Sequence, residues 1–514
     1  MKKKSALLIA TILAAALALT GCTAGAKSSA KADDTLVIAL QSPPVSLDPA
    51  KAAVGLYVNY VDPAYASLLN RAVNGKIVAG LADKWGYNSD NTEFHATLRK
   101  GVKWADGTPI TAADVVASIK YFATGSGPSS PTMAALDVSA QGDSTVVLKS
   151  KTPNPILADL LTPENLGGAI ISPAGLKNPP ALAEATYGAG PYVYNTKQSV
   201  SGDHYVFTPN KNYWNQSAIH YKSITIKVIA NANSAVQALK SGQIDFMQGN
   251  ADVAPTIKSN SDLAVLSKPS IWAGLFLLDR DGTIVPALAD VRVRQALNYA
   301  VDRDAITKAV YGEYGQAVDQ PQAPGFDGYS KAAEKVYTYN PAKAKKLLAE
   351  AGYAKGLTIP VNYGSFDADN TKLVQAVQEQ LSVVGVTLEL TAATNFGGWV
   401  GDIVSKKFAA TVLSPGSGGA EFPFAQSAFM PGGIVNIFGA EDPELSAAFN
   451  ALASASVADH DAAAQKVTDV AVDHALSLPI AAVNTTLMYN KKLQGLEFTK
   501  GNGVPTYVTA WTSK

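Results

Sequence analysis

The chain has 514 residues, with 42 lysines and arginines against 42 aspartates and glutamates and apolar residues at 47 %. That balance excludes a partner held by bulk charge, such as nucleic acid or an anionic membrane surface, and a single cysteine, Cys22, excludes a fold stapled by disulfides. The roughly 480 residues that follow the N-terminal leader exceed what one hydrophobic core usually holds, so at least two lobes are expected.

In chain order, Met1-Lys2-Lys3-Lys4 precedes an apolar run from Ala6 to Thr20 and then Leu19-Thr20-Gly21-Cys22. A basic start, a short apolar stretch and small residues at the cut make an export signal, residues 1–21. The run is short of the ~20 apolar residues a spanning helix needs. Leu-Thr-Gly-Cys resembles the bacterial lipobox, which implies that Cys22 carries a lipid. Without Lys2 to Lys4 the mature chain has 39 basic and 42 acidic residues, a net charge of −3. Residues 22–34 are small, polar and charged, too poor in apolar surface to offset the entropy of ordering, and read as a tether.

Leu36-Val37-Ile38-Ala39-Leu40 is a continuous apolar run suited to a strand buried on both faces. The prolines of Gln41 to Pro49 lack the amide donor and force a loop. Thr111 and Asp114 form a capping box ahead of Val115, Ile119 and Phe122. Strands are expected at Val146–Leu148 and Ile224–Val228. Asp290 caps a helix with Val293, Ala296, Leu297, Ala300 and Val301 on one stripe. Asn340-Pro341 supplies a cap and a first-turn proline for a helix that buries Ala344, Leu347, Leu348 and Ala351 and stops at Gly352. Thr358–Val361, a helix from Asn370 to Val384 ended by Gly385, and Val386–Leu390 read as one strand-helix-strand unit with parallel strands. Arg292, Arg294, Asp302 and Arg303 are expected to pair on a solvated helix face.

Several phrases, taken together and in order, resemble the peptide and nickel solute-binding proteins of ATP-driven importers, solute-binding family 5. They are Phe94-His95-Ala96-Thr97-Leu98-Arg99-Lys100-Gly101-Val102-Lys103-Trp104-Ala105-Asp106-Gly107-Thr108-Pro109, Gly188-Ala189-Gly190-Pro191-Tyr192, Asn210-Lys211-Asn212-Tyr213-Trp214, Ala238 to Phe246, Asp290 to Arg303, and Tyr339 to Leu348. The resemblance runs from about Thr35 to near the C-terminus. It implies an α/β, two-lobed periplasmic-binding-protein-like fold with mixed sheets flanked by helices, a ligand cleft between the lobes and an extra subdomain. Carried onto this chain, lobe I would be 35–69 with 187–270 and 479–514, the inserted subdomain 70–186, and lobe II 271–478.

The same resemblance implies a receptor, not an enzyme, that binds peptides or peptide-like solutes by hinge closure and passes them to a permease with its ATPase. It would be a monomer outside the cytoplasm, tied to the membrane only through a lipid on Cys22, with no nucleic acid and no cofactor. Aromatic walls and close backbone approach are the tools for enclosing such a ligand. Trp272, near the lobe crossing, and the stretch from Asn395 to Asn436 supply them. Candidate ligand contacts are Trp272, Trp399, Glu421, Phe424 and Asn436. Peptide-binding members carry an acidic residue in an Asp-Tyr-Pro-Asp-Pro-like phrase about here; this chain departs from it, and Glu421 before Phe422-Pro423 is the nearest acid.

Rivals from other classes are a receptor for a non-peptide solute (opine, sugar or metal chelate), an exported hydrolase using the segment 414–419 with Ser417, and an adhesive surface lipoprotein. The sequence has no His-Glu-x-x-His, Gly-x-Ser-x-Gly or phosphate-cradling loop. His95, His204, His220, His460 and His474 lack metal-ligand spacing and read as surface or capping residues, which weighs against a histidine-held metal.

Overall fold

A computed structural model describes residues 34–127, 129–413, 421–433, 435–456, 458–501 and 503–514. The leader 1–21, Cys22, the tether up to Asp33 and the glycine-rich segment 414–419 with Ser417 lie outside these residues.

The first strand, Thr35–Leu40, has five of its six residues buried. It lies between two parallel neighbours, Ser223–Val228 and Phe246–Gly249, with Leu36 opposite Ile224 and Ile38 opposite Phe246. Helices can then cover both faces, which is why the run is apolar throughout. Beyond Ser223–Val228 the sheet continues antiparallel through His204–Pro209 and Tyr192–Tyr194. On the far side of the molecule Leu357–Gly364 lies between Val386–Ala393 and Ala410–Leu413, parallel to both. The connecting helix, Ala368–Ser382, starts at an Asp367 cap, buries Leu373, Val374, Val377 and Leu381, and is followed by Gly385 at φ +86°. The strand-helix-strand unit is thus present, two residues earlier in its helix than the periodicity suggested.

These two strand sets are not separate sheets. Leu263–Leu277 and Ser477–Asn490 run antiparallel to each other from Leu263 opposite Asn490 to Phe276 opposite Ser477, and join all of the strands into one eleven-stranded sheet. At ~3.3 Å per residue such strands span about 45–50 Å, longer than one small domain needs. One end is flanked by Phe246–Gly249, the other by Ala410–Leu413. Between them the pair is bulged twice, at Pro269/Ile271 and at Ala273/Gly274, and Gly315–Ala317 adds a short third strand beside Ala481–Val483.

An inserted unit carries a four-stranded antiparallel sheet in the order Ala82–Tyr87, Glu93–Leu98, Thr145–Lys149, Asp137–Gln141. Glu93–Leu98 alternates half-buried and buried residues, as a strand with one core face should. The helix Ala112–Ala123 packs on this sheet. Its capping box is complete: Asp114 N donates to Thr111 Oγ1 and Thr111 N donates to Asp114 Oδ2.

The reading of the arginine-rich helix needs correction. Arg292 does pair with Asp290 at the surface, and Asp302 caps the helix Arg303–Tyr311. Arg294 and Arg303, however, are buried. Arg294 donates to the carbonyls of His474, Leu288 and Ala289; Arg303 donates to those of Pro479, Asn298 and Tyr337 and to Asn298 Oδ1. A guanidinium has five donors in a rigid fork, so it can tie several chain segments together where no carboxylate is needed. Charge spacing along a helix cannot reveal this, because the acceptors are main-chain groups from distant loops.

Candidate functional site

Strand polarity points to a candidate site. Thr35–Leu40, Ser223–Val228 and Phe246–Gly249 are antiparallel to Ser477–Asn490 and therefore run with Leu263–Leu277, toward the far half. Leu357–Gly364, Val386–Ala393 and Ala410–Leu413 run the opposite way. The C-terminal ends of both parallel sets consequently face the bulged middle of the long pair. Ligands of open α/β sheets bind outside the carboxyl ends of strands, and here two such edges face each other across a two-stranded connection. On the rims Val45 follows one first-half strand and Phe366 one second-half strand, at 78 % and 48 % exposure.

Trp272 sits on the connection itself, between the two bulges, and is 1 % exposed. Its ring lies 4.7 Å from Phe276 and meets Phe424 edge-on at 6.3 Å; Phe424 in turn stands perpendicular to Phe429 at 5.6 Å. The structure thus brings Trp272 and Phe424 into one aromatic wall. The Trp272 Nε1 hydrogen is buried without a hydrogen-bond partner, a cost that buried indoles usually avoid.

Trp399 lies in the helix Phe396–Val404, whose Asn395 cap accepts from Gly398 N. It is 6 % exposed, donates Nε1 to Thr411 Oγ1 at 3.1 Å, and its carbonyl accepts from Asn362 Nδ2 at 3.3 Å. These bonds fasten the helix to the strand ends and place Trp399 in the packing behind the rim. Asn436 is likewise engaged: Nδ2 donates to the carbonyls of Phe429 and Ala440, and Oδ1 accepts from Ala440 N. It shapes the turn that holds Phe429.

Glu421 begins the helix Glu421–Ala428 and is fully buried. Its amide donates to Asp327 Oδ2 at 2.9 Å, its Oε2 accepts from Gln322 Nε2, and the Thr468 side chain lies beside the carboxyl without a well-formed bond to Oε1. Burial, reinforced by the nearby Asp327 carboxylate, holds its proton well above the ordinary carboxylate range. Gly328 makes the close packing possible: at φ +76°, a Cβ there would stand 2.7–2.9 Å from Glu421 atoms. The other oxygen of Asp327 faces His460 Nε2 at 3.0 Å. Asp327 first, and then Asp461 and Asp159, raise the imidazole pKa, while burial opposes them.

A second polar group went unread in the sequence. Arg71 pairs through Nη2 with Asp159 and stands 3.5 Å from Glu164 Oε1. Asp62 accepts from the Thr509 hydroxyl, and the buried Tyr507 has Glu164, Asp62 and Arg71 as its charged neighbours. Burial pushes the Asp62 carboxyl up to about 6. Asp159, on this side, acts electrostatically on His460 of the other half, and Asn91 Nδ2 donates to Ala455 O at 3.3 Å between the inserted unit and the second half. Phe326, next to Asp327, forms a parallel bridge with Gly501. No local motif signals this convergence. Among the described residues no cluster of three or more His, Cys, Asp or Glu could hold a metal ion, and no helix is long and apolar enough to cross a membrane.

The model of the family described as bacterial extracellular solute-binding proteins, family 5 Middle, matches residues 76–433. The chain is 29 % identical over 395 residues, 73 % of each chain, to a probable peptide ABC transporter periplasmic-binding protein of Sinorhizobium fredii. It is 28 % identical over 367 residues, 69 % of this chain and 68 % of the other, to the glutathione-binding protein GsiB of Pectobacterium atrosepticum. Among solved structures, the periplasmic binding protein DppA from Helicobacter pylori in complex with the peptide STSA superposes with a TM-score of 0.75 at 20 % identity, covering 93 % of this chain and 98 % of that one.

Proposed function

The chain belongs to the bacterial extracellular solute-binding proteins of family 5, and from that premise we propose that it captures peptides or peptide-like solutes at the facing strand ends and delivers them to the permease of an ATP-driven importer. Members of this family are solute-binding proteins that work outside the cytoplasm. The named relatives bind peptide or glutathione, and the observation that carries the reading here is the pair of facing carboxyl edges joined through two bulged strands. Such a connection bends at its bulges, where ladder hydrogen bonds are already interrupted, and the halves close as rigid bodies around whatever stabilises the closed form.

On this reading the rigid bodies are lobe I (35–69, 187–270, 479–514), the inserted subdomain (70–186) and lobe II (271–478), with the bend in the bulged stretch 269–274 and its partner 479–484. Trp272 and Phe424 form the apolar wall, and the unpartnered Trp272 Nε1 and the Glu421 carboxyl, which has Thr468 beside it, are the polar points for a ligand. Trp399 and Asn436 brace the wall from behind. Cys22 carries the acyl anchor that keeps the monomer near its transporter, and the protein catalyses nothing. Isothermal titration of di- to hexapeptides and glutathione tests the binding claim. Micromolar binding to at least one, weakened about tenfold, or ~1.4 kcal/mol, in Trp272→Ala, is expected. Absence of binding across the panel refutes the peptide reading. Radiolabelled palmitate incorporation that is lost in Cys22→Ala tests the anchor.

A further inference from the structure

Asp62, Arg71, Asp159, Glu164 and Tyr507 come from four separate stretches of chain and meet where the inserted unit joins the first half. One guanidinium faces two carboxylates, Asp159 and Glu164, and the Asp62 carboxyl lies beyond Glu164. Arg71 gives Nη1 to Gly75 O at 2.9 Å and Nη2 to Asp159, and only approaches Glu164 Oε1 at 3.5 Å. Arg71 Nε, Glu164 Oε2 and the Tyr507 hydroxyl are left buried with no hydrogen-bond partner. Tyr507 is 7 % exposed, and the charged groups around it are Glu164, Asp62 and Arg71. A buried polar atom with no partner costs about 1–3 kcal/mol, and a purely structural cluster has no reason to leave three such atoms in that condition.

The loop that presents the acids is held rigidly. Leu166 adopts φ +61°, and a Cβ on Gly168 would stand 1.9 Å from Leu161 O. Asp159 also acts on His460 of the second half, and the inserted unit meets that half where Asn91 donates to Ala455 O.

We propose that this cluster is a subsite for a cationic group of the ligand, an ammonium or a guanidinium, which donates N–H to Glu164 Oε2 and to the Tyr507 oxygen and is balanced by the excess carboxylate. The inference rests on the peptide-receptor reading and deepens it. A ligand cation supplies both of these contacts at once, in a desolvated place where charge-assisted hydrogen bonds are at their strongest. It would also hold Asp62 ionised.

The test is isothermal titration on the full chain with two matched pairs of probes: Ala-Lys-Ala against Ala-norleucine-Ala, and Ala-Ala-Ala against its N-acetyl form. In at least one pair the cationic member is expected to bind about tenfold tighter. That ratio falls to within about twofold of unity in Glu164→Gln and drops in Tyr507→Phe, while affinity for the uncharged member is unchanged. Equal affinities within both pairs, or a preference that survives Glu164→Gln, overturn the subsite and leave the receptor reading standing. Failure of all four probes to bind removes the receptor reading and the subsite together. If Glu164→Gln does not fold, Tyr507→Phe decides, since it removes one buried oxygen and nothing else; an unchanged ratio there overturns the proposal.

Discussion

Gly274 gives the sharpest test of how the two halves are joined. It follows the second bulge, and a Cβ added to it would stand 2.2 Å from Leu478 O, 2.8 Å from a ring carbon of Trp272 and 2.9 Å from Pro479 Cα. Ordinary contacts of that kind are about 3.4 Å or more, so the two long strands must part by about 1 Å or the Trp272 ring must leave the wall. Loss of one or two ladder hydrogen bonds at ~1 kcal/mol each, with overpacking of about 1–3 kcal/mol, gives a total of about 2–4 kcal/mol for Gly274→Ala. Urea unfolding followed by tryptophan fluorescence measures it. Gly86→Ala is the control, because nothing lies within 4 Å of the added Cβ there; it should stay within about 1 kcal/mol of wild type. Ligand affinity should fall with stability in Gly274→Ala, because the wall moves with the strand. A Gly274→Ala protein as stable as wild type and equally able to bind would show that the connection has slack at this point, and the argument for a tightly packed, bulge-defined bend would fail.

Glu421→Gln is expected to change stability at pH 7 by less than about 1 kcal/mol, since burial favours the neutral carboxyl that the amide resembles; a urea midpoint lowered by more than the equivalent of about 2 kcal/mol would show that the charged form is the one the fold favours. Arg303→Met strips donors from three buried carbonyls and the Asn298 side chain and should cost about 3–5 kcal/mol by the same measurement. Burial lowers the Arg303 pKa to about 10, so its charge is constant and the loss should not vary between pH 5 and 8. Asp62 adds a pH dependence of definite sign. Its folded-state pKa, raised to about 6 from 3.8, contributes stability that is full below about pH 4 and lost as pH rises through 6. The groups facing it are Glu164, Tyr213, Tyr507 and the Thr509 hydroxyl. About 2 kcal/mol is at stake, somewhat under the full shift because Asp62 is not wholly shielded from water. Wild type should therefore lose stability relative to Asp62→Asn between pH 4 and 7, and parallel profiles would contradict the assignment.

What the sequence determined by itself was everything held by neighbours within a few residues. The apolar run Leu36–Leu40, the Thr111–Asp114 box, the Asn340-Pro341 start and the parallel unit ended at Gly385 follow from caps, periodicity and backbone freedom, and the structure contains each of them. The ordered phrases that resemble family 5 belong to the same level, since most of them are turns and caps. Tertiary structure alone decided the rest. It made one continuous sheet of two strand sets, because two strands were long enough to serve both. It turned Arg294 and Arg303 inward, because their acceptors are carbonyls of remote loops. It buried Glu421 under Gly328 and beside Gln322, which its place before Phe422-Pro423 does not reveal. Above all it assembled Asp62, Arg71, Asp159, Glu164 and Tyr507 from stretches hundreds of residues apart. A side chain's charge state and partners depend on what surrounds it in three dimensions, and no local pattern along the chain encodes that.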